Sequence, residues 1–401
     1  MKVLIIGAGV GGLAAARALS ADGHEVTVFE QAPALRRGGA AVTLWSNGTG
    51  ILSELKVPLD GVGAPIDVLE LRDDQARLLI RIDVARAAAH YGYPHICLPR
   101  SRLLERLADG LAPGVICFGR ACTGVGQDGE SVRAEFADGT AARGDLLIGA
   151  DGRGSVVRDQ LWDGDPAEFT GWGTWQGVGP VPIDITRSHR SVLFVGGAGS
   201  CGLMPAGEGL LQWWFDQRWA PGAPGPASPV ATLRDRFGDW AAPVRNVLDR
   251  ISDDETGFFP HYRHAVPASW GAGRITVIGD AAHSMPPTRA QGANQALEDA
   301  WAMAAALREA GNGAGGDVPA ALRSFERARS RKAALVARHS GSEDYNRYGR
   351  RLARLVPSAL ASRYYTRWLA QVSNYLPPAR GTAPGLVTTG PGDPAPGRPL
   401  G

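Results

Sequence analysis

The first residues able to do chemistry in this chain are glycines. Gly7-Ala8-Gly9-Val10-Gly11-Gly12 follows the apolar run Val3 to Ile6 and opens a segment with Leu13, Ala16 and Leu19 at helical spacing. In this G-x-G-x-x-G arrangement Gly7 permits a tight turn and Gly9 lets a pyrophosphate approach the backbone. Gly12 allows close helix–strand packing, while the helix N-terminus faces the phosphates. A second strand-like run, Val26 to Glu30, places Glu30 18 residues after Gly12, where a carboxylate can accept from both hydroxyls of a ribose. The spacing predicts a βαβ unit that binds a dinucleotide, without choosing between NAD and FAD.

Other elements must position that unit. Apolar runs at Asp145–Ala150 and Arg274–Ile278 end in Asp-Gly or Gly-Asp pairs, as loops at the carboxyl ends of parallel strands often do. They read as further strands of the same nucleotide-binding sheet. Residues 162–265 differ in character, with short alternating runs between Gly and Pro turns that predict an antiparallel sheet. Seven of the 11 tryptophans lie there, so the aromatic surface is concentrated in this second unit. In a strand over 210–216, Gln212, Trp214 and Asp216 face one way and Leu211, Trp213 and Phe215 the other. Helical spacing returns over Gln291–Ala310 and Val318–His339, and the last 23 residues, with six Gly and five Pro, cannot bury enough apolar surface to fold alone.

Composition narrows the class further. Lys and Arg number 42 against 40 Asp and Glu, a formal charge of +2, so no global field favours nucleic acid or an anionic membrane. Cys97, Cys117, Cys122 and Cys201 have neither metal-ligand nor redox-pair spacing, and free thiols suit a reducing cytoplasm. No stretch of 18 apolar residues supports a membrane span. The expectation is a cytoplasmic protein, monomer or homodimer, with no metal.

Two further segments narrow the cofactor. Gly149-Ala150-Asp151-Gly152-Arg153-Gly154 and Gly279-Asp280-Ala281-Ala282-His283-Ser284-Met285-Pro286-Pro287, the latter continuing through Gln291-Gly292-Ala293-Asn294, resemble the DG and GD motifs of group A flavoprotein monooxygenases. These are aromatic hydroxylases similar to para-hydroxybenzoate and salicylate hydroxylase, and the resemblance covers roughly residues 1 to 340 in the expected motif order. It implies an α/β plus α+β fold in which a Rossmann-like FAD-binding domain (1–70 with 96–160 and 266–340) is interleaved with an antiparallel-sheet substrate domain (71–95 with 161–265). A C-terminal helical segment (341–378) and a flexible Pro/Gly tail (379–401) would follow.

The resemblance also implies site roles. Gly7, Gly9, Gly12, Glu30 and Gln31 would hold the ADP part of FAD, with Asp151 near the pyrophosphate. Asp280 would accept from a ribityl hydroxyl, Thr43 and Arg100 would touch the flavin, and the backbone at Cys122 would meet the adenine. A helix starting near Gly292, with Ala293 and Asn294 in its first turn, would aim its positive end at the N1–C2=O edge of reduced flavin. The family usually has Gly-Gln-Gly where this chain reads Ala290-Gln291-Gly292, preceded by Arg289, which changes how closely that loop approaches the flavin. His283 invites a general-base reading, but in this family the position carries a His that is hydrogen-bonded to backbone rather than used as a base.

The implied activity is monooxygenation: reduction of FAD by transiently bound NADPH or NADH, reaction with O2 to a C4a-hydroperoxyflavin, and transfer of one oxygen to an aromatic or polyene-type small molecule. The protein would exclude water and orient the acceptor. Gln212, Trp214, Met204, Trp175 and Pro287 are the expected substrate-binding residues. The chain looks most like the branch containing urate-hydroxylating and zeaxanthin-epoxidising enzymes. It carries Ser200 and Gln212 where that branch places Arg and Tyr against urate, which favours a mostly neutral substrate over a small anion. The alternatives are a flavin oxidase or dehydrogenase of the same fold and, more remotely, a non-enzymatic flavin-binding protein. A halogenase would need W-x-W-x-I-P, and Trp172-Gly173-Thr174-Trp175 has the wrong spacing.

Overall fold

The computed structural model describes residues 1–162, 166–311, 317–340 and 356–378. Its first sheet is parallel and five-stranded, in the spatial order Ile275–Val277, Leu146–Gly149, Lys2–Ile6, Glu25–Glu30 and Ile116–Phe118. Val3 to Ile6 and Leu146 to Ile148 are all buried, because helices cover one face of this sheet and Val132, Ala134 and Phe136 of a small antiparallel sheet pack into the same core from the other. The long helix Gly292–Gly311 packs beside the first helix, Val10–Ala21, so that Leu297, Ala300 and Ala304 join one core with Leu13 and Ala16. The three separated segments thus form one nucleotide-binding unit, with a small antiparallel sheet (Cys122–Asp128, Ser131–Phe136, Ala141–Gly144) beside it.

The second unit is a seven-stranded sheet in the order Gly257–Arg263, Glu168–Gly179, Leu210–Arg218, Gly199–Gly207, Arg190–Gly196, Val68–Asp73 and Leu78–Asp83. Every neighbouring pair is antiparallel except Arg190–Gly196 with Val68–Asp73, which run parallel. The domain limit expected at residue 70 falls inside a strand of this sheet.

One face of the sheet carries Trp175, Phe194, Leu203, Leu211, Trp213 and Phe215, closed over by the helices Pro229–Phe237 and Ala242–Leu248. The other face looks toward the nucleotide-binding unit. Glycines opposite aromatic residues make this packing possible: a Cβ at Gly177 would lie 2.5 Å from the Trp213 ring, and one at Gly202 would lie 1.9 Å from that of Trp214.

Of the expected C-terminal segment, Ser358–Val372 is a helix that buries Ala361, Tyr365, Trp368, Leu369 and Val372. It is tied to the preceding chain by the Tyr91 hydroxyl donating to the Thr366 carbonyl at 2.7 Å and the Asp83 N–H donating to Ser362 Oγ at 2.9 Å. Residues 341–355 and the whole of 379–401, including the expected flexible tail, lie outside the described residues.

Candidate active site

A cavity of about 1150 Å³ lies between the two units. Its first wall is mostly backbone. Gly7 has φ +103°, and a Cβ there would sit 2.5 Å from the Ala150 carbonyl oxygen; one on Gly12 would sit 2.0 Å from that of Gly7. Neither position admits a side chain. A Cβ on Gly9 would meet no protein atom within 4 Å, and Gly9, Val10 and Gly11 face the cavity. Gly9 caps the helix without a side-chain hydrogen bond, so the first N–H groups and the positive end of the dipole are left for an anion.

Glu30 is fixed beside this turn: its Oε2 accepts from the Ala8 N–H at 2.8 Å and its Oε1 from the Ala32 N–H at 2.9 Å. Two backbone donors hold the carboxylate in place and leave lone pairs for a ligand. Gln31 next to it is exposed.

The side chains of three expected cofactor residues are engaged within the protein. The Asp151 carboxylate accepts from the Ser155 hydroxyl and the Val157 N–H, capping the helix Val156–Trp162; its neighbours Ala150 and Gly152 face the cavity instead. Burial pushes its carboxyl above the ordinary value. The Cys122 thiol donates to the Gly124 carbonyl, and the residue does not line the cavity. Asn294 is fully buried, accepting from the Trp45 N–H at 2.9 Å and donating to the carbonyls of Thr43 and Ala290 at 3.0 and 2.8 Å. It ties a cavity strand to a helix start and does not itself face the cavity.

Asp280, Gly292, Ala293, Thr43, Arg100 and Pro287 all line the cavity. The turn that presents Asp280 is held from behind. Asp299 Oδ2 accepts from the Gly279 N–H at 2.8 Å and from His283 Nε2 at 2.6 Å, while its Oδ1 accepts from Arg329 Nε at 2.7 Å. Burial opposes the charge of Asp299, but His283 and Arg329 prevail and hold its carboxyl at about 2. The partner of His283 is therefore this carboxylate rather than the backbone carbonyl expected from sequence, and the imidazole is fully buried. Ala290 adopts the left-handed conformation, φ +48° and ψ +39°, where the family's glycine would pay no steric cost.

The second wall is a set of side chains chosen by strand parity. Gln212, Trp214 and Asp216 line the cavity, as do Ser200 and Met204 on one neighbouring strand and Trp172, Thr174 and Gln176 on the other. The Cys97 thiol donates to Gln212 Oε1 at 3.5 Å, and the Thr43 hydroxyl donates to Met204 Sδ at 3.3 Å. Trp175 is a correction: it lies directly opposite Phe215 in the register, hence on the far face, packed against Phe258 and Trp219. Trp172 occupies the cavity side.

Sequence reasoning missed two contributions. Leu360, Ala361, Tyr364, Tyr365 and Trp368 on the C-terminal helix complete the cavity wall; their i, i+4 spacing was the available signal. Thr174 and His261, which join Asp216 and Ser200 in a polar group on the sheet face, were missed too, although Asp216 shares the parity of Gln212 and Trp214.

A glycine cradle at a helix N-terminus, a carboxylate ready for a ribose and an acidic turn on the same unit define a dinucleotide-binding flavoprotein fold, and these residues fit FAD. The family model described as FAD binding domain matches residues 1–340. The chain belongs to that family, among the flavoprotein hydroxylases of group A.

It is similar to 6-hydroxynicotinate 3-monooxygenase of Bordetella bronchiseptica, 30% identical over 84% of this chain and 90% of that one. It is also similar to aurachin C monooxygenase/isomerase of Stigmatella aurantiaca, 32% identical over 83% of this chain and 86% of that one. Among solved structures, Klebsiella pneumoniae HpxO complexed with FAD and uric acid superimposes with a TM-score of 0.85 at 25% identity, covering 92% of this chain and 97% of that one.

Proposed function

We propose that this protein is an FAD-dependent monooxygenase that takes electrons from transiently bound NADPH or NADH and inserts one atom of O2 into an aromatic or polyene-type small molecule. The observation that carries the reading is one cavity with a dinucleotide cradle on one wall and the parity-selected face of the seven-stranded sheet on the other. When bound, FAD supplies the redox and oxygen-activating chemistry that no side chain can supply.

The chain's own residues do the rest. Glu30 accepts from the ribose, and the N–H groups after Gly9 hold the pyrophosphate. Asp280 accepts from the ribityl chain. The first N–H groups of the helix Gly292–Gly311 stabilise negative charge on a group seated before them. Trp214, Met204 and Pro287 exclude water and, with Gln212, orient the acceptor.

The other G-x-G-x-x-G matches, at 124–129, 197–202 and 311–316, do not lead from a strand into a helix: the first two lie in antiparallel strands and their turns and the third begins at a helix end, which supports transient use of the nicotinamide cofactor. Ser200 and Gln212 replace the Arg and Tyr of the urate-hydroxylating branch, which argues against urate.

The test is stopped-flow reduction of the bound flavin by NADPH across a panel of aromatic and polyene molecules, followed by product analysis under 18O2. The reading expects a molecule that accelerates flavin bleaching and emerges carrying one 18O. Peroxide formed in a substrate-dependent way, with no labelled product, would replace the monooxygenase by an oxidase.

A further inference from the structure

On the sheet wall of the cavity lies a carboxylate whose surroundings differ from those of every other acid on that wall. Glu70 is the contrasting case: buried, and ion-paired with Arg72, Arg81 and Arg190. Asp216 instead accepts from two hydroxyls, Thr174 Oγ1 and Ser200 Oγ, the latter at 2.8 Å. The Trp214 indole and the His261 imidazole complete its polar surroundings.

Proton counting gives the direction of this chain. An ionised carboxylate only accepts, so the single proton of Thr174 Oγ1 points to Asp216. His261 Nε2, 2.5 Å away, must then donate to Thr174. The order is His261 to Thr174 to Asp216, with Ser200 converging from the other side. Every hydrogen in the group points toward Asp216, and the carboxylate has about four acceptor positions.

Asp216 is enclosed by protein yet keeps accessible surface, because it faces the cavity. Burial pushes its carboxyl up from the ordinary value, against His261 and the hydroxyls. A donor arriving from the cavity would offset that cost; an arriving anion would add to it.

We propose that Asp216, oriented by Thr174, Ser200 and His261, is the polar anchor of the substrate pocket and selects an aromatic molecule bearing a hydrogen-bond donor, such as a ring hydroxyl, an amino group or a protonated ring nitrogen, over a carboxylated one. This rests on the proposed monooxygenase reading only for the word substrate, since the anchoring itself is a binding property. Gln212 is the rival acceptor on the same face.

The experiment measures binding to the FAD-loaded protein by flavin absorbance perturbation, under argon and without nicotinamide. The probes are 2-naphthol, its near-isostere 2-methylnaphthalene, and 2-naphthoate. The wild-type protein is expected to bind 2-naphthol about tenfold or more tighter than 2-methylnaphthalene, as a charge-assisted hydrogen bond would give, with 2-naphthoate weakest. Asp216→Asn should shrink the naphthol preference to about threefold or less and improve naphthoate binding, at unchanged FAD content. Gln212→Leu should keep the preference.

Equal binding of 2-naphthol and 2-methylnaphthalene, absence of naphthol binding, or a preference lost in Gln212→Leu and kept in Asp216→Asn would each overturn the proposal. Should Asp216→Asn fail to retain FAD, the wild-type ratio together with Gln212→Leu decides. Because no turnover is measured, an Asp216-dependent preference without oxygenated product would sink the monooxygenase reading alone. Oxygenation without the preference would sink this one alone.

Discussion

The two walls of the cavity are built from different materials. On the nucleotide side the shape comes from missing side chains: Gly7 and Gly12 lie against backbone carbonyls, and Gly9 faces open space. On the sheet side it comes from large side chains set at every second residue, Gln212, Trp214 and Asp216, over strands that place Ser200 and Thr174 beside them. At Gly7 and Gly12 a backbone wall has one solution and tolerates no atom added. A side-chain wall has many solutions, because any residue of suitable size keeps the strand. This is why the first wall identifies a family and the second identifies a ligand.

Substitutions can break that contrast. The largest effect is expected from Gly12→Val, whose Cβ alone would overlap the Gly7 oxygen. Backbone must move, at a cost beyond the ~1 to 3 kcal/mol of ordinary overpacking. The purified protein should carry no flavin, and a normal ratio of absorbance at 450 to 280 nm would show that the cradle is more pliable than its packing implies.

Next comes a matched pair on one strand. Trp213→Ala removes a fully buried core ring and should lose about 3 to 5 kcal/mol of stability while leaving product formed per NAD(P)H consumed unchanged in the folded fraction. Trp214→Ala should lose less stability and divert NAD(P)H consumption from product to peroxide, because it opens the cavity to water. Calorimetry with a coupling assay separates the two, and undiminished coupling in Trp214→Ala would move the substrate away from this face.

Glu30→Ala should weaken FAD binding by roughly 1.5 to 3 kcal/mol, the worth of a hydrogen bond to a charged group, measured by titrating the apoprotein. Affinity equal to wild type would take Glu30 out of the site. The smallest effect belongs to Ala290→Gly. Relief of a left-handed alanine is worth about 1 kcal/mol, partly cancelled by glycine's freedom in the unfolded chain, so the melting temperature should rise slightly. A fall would mean that the Ala290 methyl packs favourably enough to outweigh its backbone strain.

The fold and the cofactor were legible because backbone geometry restricts composition: only glycine satisfies Gly7 and Gly12, and the three motifs stand in order along the chain. Parity on one strand was legible as well, since alternation needs no knowledge of neighbours. The face of Trp175 was not, because it depends on register. Thr174 opposes Asp216 and Trp175 opposes Phe215, a pairing that no local pattern reveals. Asp151 and Asn294 carry motif positions, but their side chains are engaged by the Val156–Trp162 helix and the Thr43 strand, which reflects tertiary hydrogen bonding. The C-terminal wall was hidden for a similar reason: an amphipathic helix shows that it packs, not what it packs against.

Gly202 has a bearing on how this pocket can evolve. It sits directly opposite Trp214, and the indole lies across the space its side chain would fill. A glycine codon becomes an alanine codon by one base change, and the methyl so gained would lift the ring into the cavity from below. The pocket would be resized without altering any residue that faces the ligand. Divergence of substrate range among such proteins can therefore run through positions one layer beneath the contact surface, where comparison of pocket-lining residues would find nothing changed.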